Sequence, residues 1–232
     1  MIILEFSCVN PKLNSIITDT DEKEGIICIW GDIGVGKSTL AFTVSLFKLT
    51  QDQKVFYYNT RPEFKINRFY QLMSHFRNFD SFNLIIYNIN TLDELAYEIL
   101  TIEFKILYEI KMFGFSKIKL IVIDEIPSLI RIERKSSSIR PYLKLSLILA
   151  TLNYLIKKYQ ISVIIITQST FKNELNNSIE VPYQNKIINY FSSFILKIER
   201  TLSPSERYLI IQKNNSGNLK KILCKLTEYG FE

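Results

Sequence analysis

The 232-residue chain has few of the residues that build metal and disulfide frameworks. His75 is its single histidine, which excludes a histidine-based metal cluster and argues against a Ser-His-Asp triad; an ordinary surface or core imidazole is expected. The three cysteines, Cys8, Cys28 and Cys224, are scattered without C-x-x-C spacing, so zinc and a disulfide scaffold are not expected and a reducing compartment is. No stretch reaches the ~20 apolar residues of a spanning helix. The longest candidate, Leu145 to Ile156, is broken by Ser146, Thr151 and Asn153. The N-terminus lacks the basic segment, apolar core and cleavage site of a signal peptide, so a cytoplasmic protein without membrane contact is expected. Repeats, low-complexity tracts and linkers are missing too. The expectation is one α/β domain over 1–232, with 1–24 as lead-in and 200–232 as a hairpin region.

What is present rules out disorder: 47% of residues are hydrophobic and 22% charged. A net charge of +6 permits an acidic partner without requiring one. The organising stretch is Trp30-Gly31-Asp32-Ile33-Gly34-Val35-Gly36-Lys37-Ser38-Thr39, which fits G-x-x-x-x-G-K-[ST] at every defined position. Glycines let the backbone turn tightly and aim successive N–H groups inward, forming an anion nest at a helix N-terminus. Lys37 can reach the β- and γ-phosphates, and the Ser38 hydroxyl can ligate Mg2+. The apolar run Ile26 to Trp30 reads as a buried strand, and Leu40, Val44 and Phe47 recur at helical spacing. Strand, loop and helix in that order predict a nucleoside triphosphate site built from residues 31–39.

Along the chain, strands are expected at Lys54–Asn59, Asn83–Ile89, Ile118–Ile123, Ser162–Ile166 and Ser193–Glu199. Pro62 ends the second strand's turn, and a helix follows to about Phe79. Thr91-Leu92-Asp93-Glu94 is a capping box opening a long helix that Gly114 stops. A basic connection, Arg131 to Arg140, precedes a helix starting at Pro141. Ser169 to Val181 reads as a polar loop, and a short helix is expected around Gln184 to Tyr190. Arg207–Lys213 and Leu219–Leu226, separated by turn-rich residues, read as antiparallel hairpin strands. The fold class is α/β, with a mostly parallel sheet and an antiparallel flank.

Leu120-Ile121-Val122-Ile123-Asp124 has the form of a Walker B strand, whose Asp124 would hold magnesium opposite Ser38. Glu125 reads two ways, as a carboxylate polarising the attacking water or as a solvated loop acid. Gln168, just past the next strand, reads as a γ-phosphate sensor or a plain strand-end amide. Guanine specificity is not expected. Asp124-Glu125-Ile126-Pro127 has no glycine, and Asn185-Lys186-Ile187-Ile188 lacks the aspartate of N-K-x-D. ATP is the expected nucleotide.

Several downstream segments resemble the RecA/RadA recombinases: Ile121 to Asp124 followed by Leu129-Ile130-Arg131, Ser162 to Gln168, and Val181-Pro182 leading to Phe194–Arg200. The ending Leu226-Thr227-Glu228-Tyr229-Gly230-Phe231 is similar to that of archaeal RadA and RadB proteins. The resemblance covers residues 25–232 and implies the RecA-like P-loop NTPase fold and a RadB-like archaeal RadA paralog. It implies an accessory ATPase in homologous recombination and DNA repair, with ATP at subunit interfaces of an oligomer. The implied partner is a RadA-type recombinase or another paralog. It also implies single-stranded DNA contacts through two loops, here within Arg131 to Arg140 and Ser169 to Val181. Arg131, Arg134, Lys135, Arg140 and Lys172 are the cations available, for DNA or as a solvated basic face. Lys213 stands where a basic residue would reach a neighbouring subunit's γ-phosphate, or lies on a hairpin face.

The chain departs from that family in its second-strand turn. A Thr-Glu-Gly-like turn with a catalytic glutamate is replaced by Thr60-Arg61-Pro62, and a guanidinium stays protonated and cannot act as base. Glu63 and Glu125 are the substitutes. Tyr183-Gln184-Asn185 replaces the Gly-Gly after the loop proline, and no F-x-x-A motif is found near the start. Three functions follow: a weak ATPase using Lys37, Ser38, Asp124, Glu125 and Gln168, a non-hydrolysing nucleotide-dependent interaction module, or a KaiC-like regulatory ATPase.

Overall fold

Isoleucine alternation builds the centre of the molecule. In strand β1 (Ile26–Trp30) every residue is buried; Ile27 and Ile29 enter one hydrophobic core while Ile26, Cys28 and Trp30 enter another on the opposite face. A strand covered on both faces belongs inside a parallel sheet with helices on each side. The computed structural model describes residues 11–18, 25–62, 64, 66–76, 80–133, 140–174, 177–213 and 220–232.

The elements in order are α1 (Pro11–Thr18), β1, α2 (Lys37–Thr50), β2 (Lys54–Asn59), α3 (Ile66–Met73), β3 (Leu84–Asn88), α4 (Leu92–Phe113) and β4 (Ile118–Asp124). There follow α5 (Ile126–Glu133), α6 (Arg140–Tyr159), β5 (Ser162–Ile166), β6 (Ser169–Glu174), β7 (Asn177–Pro182) and α7 (Asn185–Phe191). The chain closes with β8 (Ser192–Arg200), β9 (Glu206–Lys213), β10 (Lys220–Thr227) and β11 (Gly230–Phe231). A nine-stranded sheet has the order β11-β10-β9-β8-β1-β5-β4-β2-β3. The pairs from β8 through β3 are parallel, and β9, β10 and β11 extend the sheet antiparallel.

One core packs α2 and α3 against the sheet and includes Phe42, Tyr57, Phe69 and the C-terminal Phe231. The other packs α4, α5 and α6 with Leu95, Ile99, Leu129, Leu149 and Leu152. Helix α4 starts where its cap predicts: the Thr91 hydroxyl accepts the Glu94 N–H at 3.1 Å, and Gly114 ends it at φ 79°. Trp30 anchors the antiparallel flank, its Nε1 donating to Gln212 Oε1 at 2.7 Å with Lys197 Nζ 4.9 Å from its ring centroid. Among the described residues no helix is long and apolar enough to cross a membrane.

Three expectations need correction. Residues 169–181 are not a loop: β6 and β7 pair as a separate two-stranded antiparallel ribbon, in register from Ser169↔Pro182 to Glu174↔Asn177. Phe171 and Ile179 stay exposed on it, so backbone pairing forms the ribbon without the buried apolar face that marks a strand in sequence. Helix α3 ends at Met73, well before Phe79, because Ser74 and His75 turn; His75 lies on the surface with its ring 3.9 Å from that of Tyr229. The basic connection is shorter than expected, since Arg131 is still in α5 and Arg140 opens α6. The lead-in contributes α1, whose Leu13 is fully buried.

Candidate nucleotide site

Residues 31–36 join β1 to α2 at the middle of the sheet. Gly31 has φ 143°, and a Cβ there would fall 2.3 Å from the Ile198 carbonyl oxygen, so β8 passes too close for any side chain. Gly36 caps α2 in the left-handed region at φ 106°. Two arginines of the flank hold the loop: Arg200 Nη2 donates to the Ile33 carbonyl at 2.8 Å and Arg207 Nε to the Val35 carbonyl at 3.1 Å. Burial first, then the neighbouring Arg200, depresses the Arg207 pKa. Lys37 folds onto the loop, its Nζ donating to the carbonyls of Gly31 at 2.8 Å and Asp32 at 2.7 Å. Burial lowers its pKa, and Arg61 works in the same direction against Glu125, Asp124 and Asp32.

A cleft of about 330 Å³ opens beside the loop. Gly34, Gly36, Lys37, Ser38 and Thr39 line one side, and Arg61 and Arg68 contribute two further cations. Asp32 and Ile33 are exposed, and Asp32 Oδ1 accepts the Ile33 N–H at 2.7 Å. Val35 is buried in the core. The cleft therefore gathers the later part of the predicted 31–39 stretch, with the α2 N-terminal amides available to an anion.

Behind it lies an acidic pair set by strand register. β2 and β4 pair so that Asn59 faces Asp124, and the Thr60 N–H donates to the Asp124 carbonyl at 2.8 Å. This brings the turn 60–61 against Asp124 and Glu125, which are joined by a cis peptide bond and are both buried. The Thr60 hydroxyl accepts the Glu125 N–H at 2.8 Å. Arg61 Nη2 lies 3.0 Å from Asp124 Oδ1 and 3.3 Å from Glu125 Oε2. Gln168 Nε2 donates to Glu125 Oε1. Tyr57 donates its phenol proton to Asp124 Oδ2 at 2.7 Å; burial first, then the Asp124 charge, pushes the phenol pKa up, so it stays a donor. Glu125 is not a solvated loop acid, because the β4 strand end and the 60–61 turn enclose it.

The residues expected to hold magnesium are Ser38 and Asp124. Asp124 Oδ2 is taken by Tyr57, and among the described residues nothing is aligned to donate a hydrogen bond to Oδ1. That oxygen suits a cation. The chain supplies one itself, in the Arg61 ion pair, and a divalent ion does not fit on Oδ1 beside the guanidinium.

Lys37, Asp124, Glu125 and Gln168 lie in one neighbourhood: the charges of Glu125 and Asp124 act on Lys37, and Gln168 bonds Glu125. Arg131, with its guanidinium 5.5 Å from the Tyr183 ring centroid, is exposed, as are Arg140 and Lys172. Arg134, Lys135 and Glu63 lie outside the described residues, as does the side chain of Lys213 at the end of β9. Sequence reasoning missed Tyr57 and Arg68. A tyrosine inside a buried strand is a signal, since its hydroxyl needs a partner there. For Arg68, which donates to the carbonyls of Thr227 at 2.7 Å and Glu228 at 3.0 Å, no local signal exists.

A glycine-rich strand–loop–helix in mid-sheet, an acid ending the strand after next, and an antiparallel C-terminal flank define the RecA-like class of P-loop fold. No family model matches the chain. It is 30% identical over 226 residues to the DNA repair and recombination protein RadB of Methanococcus maripaludis, covering 95% of this chain and 96% of that protein. RadB of Methanosphaera stadtmanae is 25% identical over 208 residues, 89% of this chain and 86% of that one. A crystal structure of the RadB recombinase superposes with a TM-score of 0.74 over 96% of both chains at 21% identity, which supports the fold. The chain belongs to the RadB family of archaeal RecA/RadA paralogs.

Proposed function

We propose that this protein is an accessory factor in DNA recombination and repair that binds ATP in the Lys37–Thr39 cleft and turns it over slowly or not at all. The relatives' names support the repair setting. The observation that carries the slow turnover is the state of Glu125: Arg61 and Gln168 hold its carboxylate oxygens, and the turn that would offer a second acid offers Arg61 instead. A general base must reach the attacking water, and a buried carboxylate anchored at both oxygens is not free to turn toward it. Lys37 and the loop amides bind and orient the triphosphate. The bound nucleotide then shapes a surface for a RadA-type recombinase or another paralog.

The test is titration of a fluorescent ATP analogue together with turnover. The Lys37→Ala protein should bind about tenfold or more weakly, while both proteins release phosphate at the same background rate. Equal affinity in the two proteins would refute the site; turnover well above that of Lys37→Ala would refute the slow hydrolysis. Contact with single-stranded DNA through Arg131, Arg140 and Lys172 belongs to the same reading. Affinity for an oligonucleotide should fall steeply with added salt, and a salt-independent affinity would remove these cations from the account.

A further inference from the structure

Arg61 has donors that the proposed function leaves unused. Its Nη2 bridges Asp124 and Glu125. Its Nε is buried and has no acceptor among the described residues, although the side chain lines the nucleotide cleft. The side chain as a whole is 23% exposed, and with Nη2 engaged by the two acids the exposed part of the guanidinium fork is open to an acceptor that arrives with the ligand. Within the same cleft lie Lys37, the α2 N-terminus and Arg68.

We propose that Arg61 takes the place of the divalent cation in this protein: its guanidinium joins the Asp124–Glu125 pair on one side to a phosphate oxygen of the bound nucleotide on the other, so that the nucleoside triphosphate binds without magnesium. A metal ion in such a site has two tasks, to neutralise the strand-end acids and to screen the polyphosphate. A guanidinium performs both, being permanently charged and presenting several donors in one plane. Its reach suits the task, since forked donors can serve two acceptors at once. The arrangement also accounts for Asp124, whose Oδ1 pairs with Arg61 while Oδ2 is held by Tyr57. Two buried carboxylates on adjacent residues would repel each other without a cation between them, and Arg61 provides it in the protein as folded.

This inference rests on the proposed nucleotide site, and the experiment separates the two. The affinity of the full chain for an ATP analogue is measured by calorimetry in excess EDTA and in millimolar magnesium, for the native sequence and for Arg61→Ala. The native protein should show dissociation constants within about threefold of each other in the two buffers, whereas Arg61→Ala should bind about tenfold or more tightly with magnesium than with EDTA. Magnesium alone, without nucleotide, should raise the melting temperature of Arg61→Ala and leave that of the native protein unchanged, because removing the guanidinium frees Asp124 Oδ1. If the native protein binds only in magnesium, Arg61 is not the cation and the proposal falls while the nucleotide site stands. Binding in neither buffer sinks the nucleotide site itself. Should Arg61→Ala fail to fold, the native measurement alone still decides.

Discussion

Thr60→Val tests whether the acidic pair is held by one hydroxyl. The change keeps volume and β-branching and removes the hydroxyl of a residue that is 4% exposed. In the native protein that hydroxyl accepts the Glu125 N–H at 2.8 Å, bonds the Glu125 carbonyl and lies 2.8 Å from Ser128 Oγ. Valine leaves the carbonyl provided for, since Ser128 Oγ also donates to it at 2.8 Å. The Glu125 amide has no such replacement. One buried donor without an acceptor costs about 1–3 kcal/mol, so the variant should lose about 2 kcal/mol of folding free energy. Urea unfolding reads this as a lower midpoint at unchanged slope. Thr60→Ser restores the hydroxyl and deletes one methyl, and should recover all but about 1 kcal/mol. A Thr60→Val protein within about 0.5 kcal/mol of native, or a Thr60→Ser protein equally damaged, would show that the amide finds another partner and that Thr60 does not position the acids.

Gly36→Ala places a Cβ 3.1 Å from the Phe231 ring at φ 106°, so it should lower stability by about 1–3 kcal/mol and weaken ATP binding; an unchanged midpoint and affinity would refute the strained cap. Glu103, bonded by Lys158, Tyr159 and Tyr154, has its pKa lowered from 4.5 to about 2. A depressed carboxylate adds stability that is full above its unfolded pKa and is lost as pH falls through the folded value. Acid unfolding between pH 4.5 and 2 should therefore be shallower in Glu103→Gln, and parallel curves for the two proteins would discard the cluster.

How much of this was legible in sequence follows from how local each interaction is. The phosphate-loop pattern is legible because its glycines, lysine and serine belong to one turn, and β2 is legible at Lys54–Asn59 because Val55–Tyr58 is an unbroken apolar run, buried in the fold. The α4 capping box lay in four consecutive residues. The β6–β7 ribbon was not legible, since its strands pair with each other away from the cores and carry polar residues on both faces. Arg61 was legible as a departure from a base, but its contacts were not. They depend on β2 lying beside β4, with Asn59 opposite Asp124, a pairing across a long stretch of intervening chain. Tyr57 follows from that same pairing.

That register also explains how, in the proposed function, an arginine in the turn after β2 and an intact phosphate-loop sequence are compatible. In the proposed function, holding a polyphosphate draws chiefly on Lys37, the loop amides and the α2 N-terminus between residues 31 and 39, with Arg61 added from the β2 end. Turnover draws instead on the ends of β2 and β4, where an acid at 61 would put three carboxylates together and make the site depend on a bound cation for its stability. With arginine there the acids are neutralised in the folded chain itself, at 3.0 Å and 3.3 Å. On this reading a substitution at the end of β2 alters both the chemistry at the γ-phosphate and the metal dependence of binding, while the β1–α2 turn supplies the anion nest itself.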